Sequence, residues 1–301
     1  MTARPHVLDC LVVGGGPAGM TAALYLRRFW RHVRVIDSGD ARAARIPESH
    51  NYPGFPSGIP GTELLARLRQ QLAAVEGEVD AGEVTVVGRD HDLFAARIGD
   101  EAVRARTVLL ATGRIDHEPH VTGIDTLRER GLLRQCPICD GYEFTGRRIA
   151  VIGAGVHGLR ECQFLCRYSP TVTLIDESHD ADIGLAADLE QCGARRVRRR
   201  LAEVALRDDD SIELRFDDGS REPCDVLYAA LGGNPRSALA RSLGARVDGE
   251  GGIVVDAHCE TTVPGLFAAG DVVTGLDQLA VAVGQAAIAA TAIHNRLRAA
   301  A

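Results

Sequence analysis

Cys136-Pro137-Ile138-Cys139-Asp140 is the stretch whose residue types and spacing carry the most chemistry. Two cysteines two residues apart, with proline between them, suit a redox turn that lowers a thiol pKa and so makes a thiolate nucleophile. Such a pair closes to a disulfide, and exchanges with another disulfide through a mixed intermediate. Asp140 follows directly and reads as the group that takes and returns the proton, although a carboxylate there also suits a cap of the next turn. Zinc is the competing reading. A structural zinc needs four ligands, and no second CxxC or paired histidine is spaced to join these two, so no metal site is expected.

The other six cysteines, Cys10, Cys162, Cys166, Cys192, Cys224 and Cys259, are scattered. In a chain of 301 residues they do not form a disulfide framework, and they read as small buried hydrophobes. Cys162 and Cys166 are four apart on one expected helix face, where packing is the favoured reading over an auxiliary dithiol. The formal net charge of −7 argues against nucleic acid as a partner, since phosphate binding wants a basic surface. No apolar leader and no run long enough to span a bilayer are visible, so the expected compartment is the cytoplasm, with no membrane partner.

Two nucleotide-binding units must position this chemistry. Residues 8–13 are an apolar strand, Gly14-Gly15-Gly16-Pro17-Ala18-Gly19 follows, residues 20–28 have helical period, and a second strand at 33–36 ends on Asp37. The acid lies 23 positions after the first glycine. Strand, glycine loop, helix and acid in that order make a strong dinucleotide signal: the glycines admit a pyrophosphate, the helix N-terminus presents free N–H groups, and the acid accepts ribose hydroxyls. The unit recurs. A strand at 149–152 leads to Gly153, Gly155, His157 and Gly158, then a helix, then a strand at 172–175 ending on Asp176, again 23 positions on. Residues 108–113 and 227–232 repeat one pattern of apolar strand and small-residue turn. Internal duplication is the economical reading. His157 reads as a local backbone partner or an exposed side chain. The glycines of the second loop also keep strand–helix packing whether or not a nucleotide binds.

The C-terminal segment, with a strand and carboxylate turn at 265–271 and a helix at 278–298, belongs with the first half. The expected fold is α/β: two Rossmann-like three-layer domains, the second inserted into the first. The expected boundaries are 1–114 with 244–301 for the first domain and 115–243 for the domain carrying the CxxC.

These motifs, in this order and with Asn51-Tyr52-Pro53-Gly54 and Ala269-Gly270-Asp271, resemble the low-molecular-weight thioredoxin reductases among the FAD-dependent pyridine nucleotide-disulfide oxidoreductases. The resemblance covers nearly the whole chain. It implies FAD held along Gly14, Gly16, Pro17, Ala18, Asp37, Arg42, Asn51, Ala111, Gly113, Asp271, Gln278 and Leu279. Arg42 stands at a polar contact to the flavin nucleotide, and Gln278 opens the last helix near the isoalloxazine. It further implies that Cys139 faces the flavin, Cys136 attacks the partner disulfide, Asp140 handles the proton, and the inserted domain rotates. The implied partner is a thioredoxin-like protein or a small dithiol or disulfide, and the implied assembly is a homodimer.

Two departures bear on the electron donor. Where NADPH-dependent relatives carry a histidine and arginine cluster that grips the 2′-phosphate, this chain has Asp176-Glu177-Ser178-His179-Asp180-Ala181-Asp182. Four carboxylates there repel a phosphate, so NADPH is disfavoured. NADH, a second FAD, or no nucleotide at all remain open for the second site, and ferredoxin stands as an alternative donor. The family's arginine before Gln278 is Asp277 here. The run Arg195, Arg196, Arg198, Arg199 and Arg200 reads as a solvated face. The leading reading is a thiol-disulfide oxidoreductase. The alternatives are a dithiol oxidase that forms disulfides in a small metabolite, and a flavin-bearing redox sensor without turnover.

Overall fold

In the computed structural model, residues 7–176 and 183–299 are described. The first part of the chain runs β1 (Leu8–Val13), α1 (Pro17–Arg28), β2 (Val33–Asp37), a 3-10 turn at Arg42–Arg45, α2 (Gly61–Ala73), β3 (Val79–Ala81), β4 (Val84–Asp90), β5 (Leu93–Ile98) and β6 (Glu101–Leu110). The middle part runs β7 (Arg114–Asp116), α3 (Ile124–Glu129), β8 (Leu133–Arg134), α4 (Pro137–Asp140), β9 (Ile149–Gly153), α5 (Gly155–Leu165), β10 (Val172–Asp176), α6 (Ile183–Cys192), β11 (Arg195–Val197), β12 (Leu201–Leu206), β13 (Ile212–Phe216), β14 (Arg221–Cys224), β15 (Val226–Ala230) and β16 (Gly233–Pro235). The chain then closes with α7 (Ala238–Ser242), β17 (Leu266–Ala268) and α8 (Leu279–Ala299). Among the described residues, no helix is long and apolar enough to cross a membrane.

Two compact units result: Met1–Ile115 with Asn234–Ala301, and Asp116–Gly233 between them in sequence. The return from the second unit falls at Gly233, earlier than the Gly244 that the sequence suggested. The reason is α7. Its Ala240, with Ala245 just beyond, is buried in the same apolar cluster as Val84, Val87 and Leu266 of the first unit.

The first unit is built on a sheet of order β3-β2-β1-β6-β5-β4, with β17 beside the C-terminal half of β6. β1 is apolar on both faces because both are covered. Cys10 and Val12 join a cluster with α1 and α8, while Leu8, Leu11 and Val13 join the cluster on the other side. Burying each such valine or leucine contributes roughly 1.5–3 kcal/mol. Small residues let helices approach closely: Ala18, Ala22 and Ala23 of α1 share one core with Ala282, Ala286, Ala289 and Ala290 of α8.

The second unit repeats the plan. Its five-stranded parallel sheet has the order β11-β10-β9-β15-β8, and a three-stranded antiparallel sheet of β12, β13 and β14 follows. β10-β9-β15 corresponds to β2-β1-β6, so the internal duplication read from the glycine loops is present in the topology. The strands again alternate between two cores. Ala150, Ile152, Leu227 and Ala229 face one, and Ile149, Val151, Val226, Tyr228 and Ala230 face the other.

Candidate active site

In the second unit, Cys136 precedes the single turn of α4, Pro137 opens it, and Asp140 ends it. Proline suits a first helical position, where its missing N–H costs no hydrogen bond. Cys136 and Cys139 are joined as a disulfide with Cα atoms 5.3 Å apart. Cys139 N–H donates to the Cys136 carbonyl at 2.9 Å, and Gly141 N–H donates to the Pro137 carbonyl at 2.8 Å. The pair is thus held on a short, internally bonded turn.

Asp140 is buried, and two side chains that sequence reasoning missed meet its carboxylate. The Tyr228 hydroxyl donates to Oδ1 at 2.6 Å, and the Arg134 guanidinium lies 3.3 Å from Oδ2. Burial, and next the charge of Asp140, push the Tyr228 phenol far above its ordinary range, so it stays a donor. Phe144 braces both partners, edge-on to Tyr228 and beneath the Arg134 guanidinium. Tyr228 gave no signal because it sits in a strand that is otherwise apolar. A fully buried tyrosine needs a partner for its hydroxyl, and Asp140 supplies it.

The glycine loops of the two units share one division of labour. In the first unit, a Cβ added at Gly19 would lie 1.9 Å from the Gly14 carbonyl oxygen, so this glycine lets α1 close on β1. At Gly16 an added Cβ meets nothing within 4 Å. That open space lies at the start of α1, whose first turn carries no side-chain cap, and it suits an anionic ligand. Pro17 and Ala18 form that first turn. Asp37 ends β2 and accepts the Gly15 N–H at 3.0 Å.

Four of the remaining expected flavin residues of this unit meet in two pairs. Arg42 pairs with Asp271 at 2.8 Å, and Asn51 Nδ2 donates to Gln278 Oε1 at 2.8 Å. Ala111 follows β6, its N–H donating to the Val13 carbonyl at 2.8 Å. Gly113 accepts the Arg236 N–H at 2.9 Å, and Leu279 opens α8. Asp277 is paired with Arg114, a residue the sequence did not single out. The acid at 277 thus has its own cation, 163 positions away in sequence. Burial, and next the charge of Asp271, raise the Asp277 carboxyl, while Arg114 and Arg42 pull it back.

The second loop follows the same pattern. Gly153 would meet Ala230 and Gly158 would meet Leu174, whereas Gly155 is open. His157 is half-exposed in the first turn of α5, 3.4 Å from Glu161. Asp176 differs from Asp37. Its side chain is wholly buried and bound by Arg196, with Nε at 2.9 Å. Arg196 thus departs from the solvated face expected of the arginine run, and Arg195 and Arg199 both pair with Glu222. The rest of the acidic stretch, Glu177 to Asp182, lies outside the described residues.

Glu161 is a further residue without a sequence signal. Its Oε2 is buried without a hydrogen-bond partner, and burial pushes its carboxyl up to about 8. The folded chain therefore holds a proton that an unfolded chain, with a value of 4.5, has released. Stability falls as pH rises between these two values and levels off above about 8. Glu161→Gln keeps the neutral shape, so it is expected to raise the melting temperature by several degrees at pH 8.5 and much less at pH 5. Equal melting shifts at both pH values would refute this.

The sequence model of the pyridine nucleotide-disulphide oxidoreductases matches residues 8–286. Thioredoxin reductase of Mycolicibacterium smegmatis is 32% identical over 287 residues, 91% of this chain and 91% of that protein. Thioredoxin reductase of Listeria innocua is 30% identical over 304 residues, 96% of this chain and 93% of that protein. The crystal structure of thioredoxin reductase from Streptococcus pyogenes superposes with a TM-score of 0.90 at 28% identity, covering 98% of this chain and 100% of that one.

Proposed function

Because the chain belongs to the pyridine nucleotide-disulphide oxidoreductases, and within them to the thioredoxin reductase-like proteins, we propose that it binds FAD in its first unit and exchanges an electron pair between that flavin and Cys136–Cys139. The observation that carries this reading is the disulfide on its turn beside a buried carboxylate that Tyr228 and Arg134 hold. The first unit fits the cofactor: an open cradle at Gly16 for the pyrophosphate, Asp37 for the ribose, and Arg42, Asn51 and Gln278 brought together with Asp271 around the rest. Bound flavin supplies a two-electron reservoir.

The protein's own residues do the thiol chemistry. Reduction breaks the Cys136–Cys139 bond with two electrons and leaves two sulfurs, with Asp140 the nearby group to carry a proton. Cys136, as the thiolate, attacks the partner disulfide and forms a mixed disulfide. Cys139 then attacks Cys136, closes the pair again and releases the partner reduced. Ile138 and Tyr142 are exposed on either side of Cys139 and offer a partner an apolar surface. A thioredoxin-type protein fits, as the names of the relatives suggest.

The acidic stretch that begins at Asp176 supports a donor other than NADPH. Arg196, the cation at the end of β10, is already paired with the buried Asp176 and so offers a 2′-phosphate little net charge. Anaerobic titration of the flavoprotein with NADH, NADPH, reduced ferredoxin and a dithiol tests the reading. NADPH is expected to need concentrations on the order of 10-fold higher than NADH, or more, to bleach the flavin. Stoichiometric bleaching by NADPH at low concentration would overturn the donor assignment while leaving the disulfide chemistry intact. Flavin released on denaturation is expected at one per chain if the second unit holds no flavin of its own.

A further inference from the structure

Cys166 and Cys192 take no part in the redox turn, yet the fold brings them together. Cys166 caps the C-terminal end of α5, and Cys192 is the last residue of α6, 26 positions on. Their sulfurs are 3.6 Å apart, with Cys166 donating its S–H to Cys192. Cys192 in turn donates to the Leu189 carbonyl at 3.1 Å. Both side chains are partly exposed. Cys162, the neighbour that sequence spacing pairs with Cys166, is instead wholly buried in the core beneath.

We propose that Cys166 and Cys192 are a second, peroxide-oxidised dithiol that closes to an intramolecular disulfide stapling the C-terminal end of α5 to that of α6. The sulfurs need to close by only about 1.5 Å to reach bonding distance. Both sit where a helix ends, and Gly193 follows Cys192 with a φ of +83°, so side-chain rotation meets no further helical turn. Burial, and next the contact with Cys192, push the Cys166 thiol up to about 12. It therefore keeps its proton, and Cys192, the sulfur that accepts the Cys166 S–H, is the one placed to meet the oxidant first.

The oxidant is hydrogen peroxide. The Cys192 thiolate attacks one peroxide oxygen, forming S–O and breaking O–O, and the departing oxygen leaves as water with the proton Cys192 released. Cys166 then attacks the Cys192 sulfur, forming S–S and breaking S–O, and a second water carries off its proton. One peroxide takes two electrons, one from each sulfur. The high thiol pKa of Cys166 makes closure slow, which marks the pair as a response to oxidant and not as a station on the electron path. The staple fixes α5, the helix that begins at the second glycine loop.

Thiol mapping of the full-length flavoprotein tests this without any variant. After hydrogen peroxide treatment, alkylation in denaturant and digestion without reduction, a peptide linking Cys166 to Cys192 is expected, with Cys162 still alkylated. Dithiothreitol should dissolve the link. In Cys166→Ser, Cys192 should accumulate as sulfinic acid, and Cys192→Ala should leave Cys166 alkylatable after the same treatment. The proposal is overturned if Cys166 and Cys192 both remain alkylatable in the native sequence, or if Cys166 is found linked to Cys162.

Discussion

Replacing Cys139 by serine is expected to leave flavin content unchanged and to reduce disulfide turnover by on the order of 10³-fold or more. The residues proposed to hold flavin lie in the first unit and Cys139 in the second, so none of them is removed. What is removed is the sulfur that closes the pair. Cys136 survives in the variant and still attacks a partner disulfide, but no thiol remains to release the product. The variant should therefore accumulate as a covalent complex with its partner through Cys136, visible as a band that reducing agent dissolves. Cys136→Ser should give equal loss of turnover with no such complex. Turnover that survives in Cys139→Ser, or a trapped complex in Cys136→Ser, would reverse or remove the assignment of the two sulfurs.

The parts of this site that were legible in the sequence are those that depend on chain-local spacing. Cys136, Cys139 and Asp140 fall on one turn, and each glycine loop follows its own strand, so a linear reading places them. The partners of Asp140 were not legible, because Tyr228 arrives 88 positions later on a central strand whose neighbours are all apolar. Asp277 read as the loss of a family arginine. The fold shows it paired with Arg114. Arg196 read as one member of a solvated run, yet the parallel pairing of β11 with β10 carries it to the buried Asp176. Cys166 was read against Cys162 by helical spacing, and tertiary packing of α5 on α6 chose Cys192. In each case a residue's partner lies across an element boundary, where hydrophobic periodicity carries no information about register.

The two glycines Gly14 and Gly16 should fail in different ways, and this separates fold from cofactor. Gly14 has a φ of +109°, and an added Cβ would stand 2.2 Å from the Ala111 carbonyl oxygen. Neither the backbone nor that carbonyl can give way without parting β1 from β6. Gly14→Ala is thus expected to cost more than about 4 kcal/mol and to yield little folded protein. Gly16 has φ −76° and ψ −175°, which alanine adopts freely, and its added Cβ touches nothing. Gly16→Ala should therefore fold, at the cost of about 1 kcal/mol for a poorer N-cap. Its methyl group nonetheless enters the space at the start of α1 where a pyrophosphate must approach the free N–H groups. The expected protein is colourless, with native circular dichroism and flavin affinity reduced at least about 10-fold, the loss of one or two close phosphate hydrogen bonds. The ratio of flavin to protein absorbance, read beside the melting curve, decides it. If Gly16→Ala retains a full complement of flavin, the cradle is not where the cofactor's phosphates lie, and the likeness between the two glycine loops loses its meaning for ligand binding.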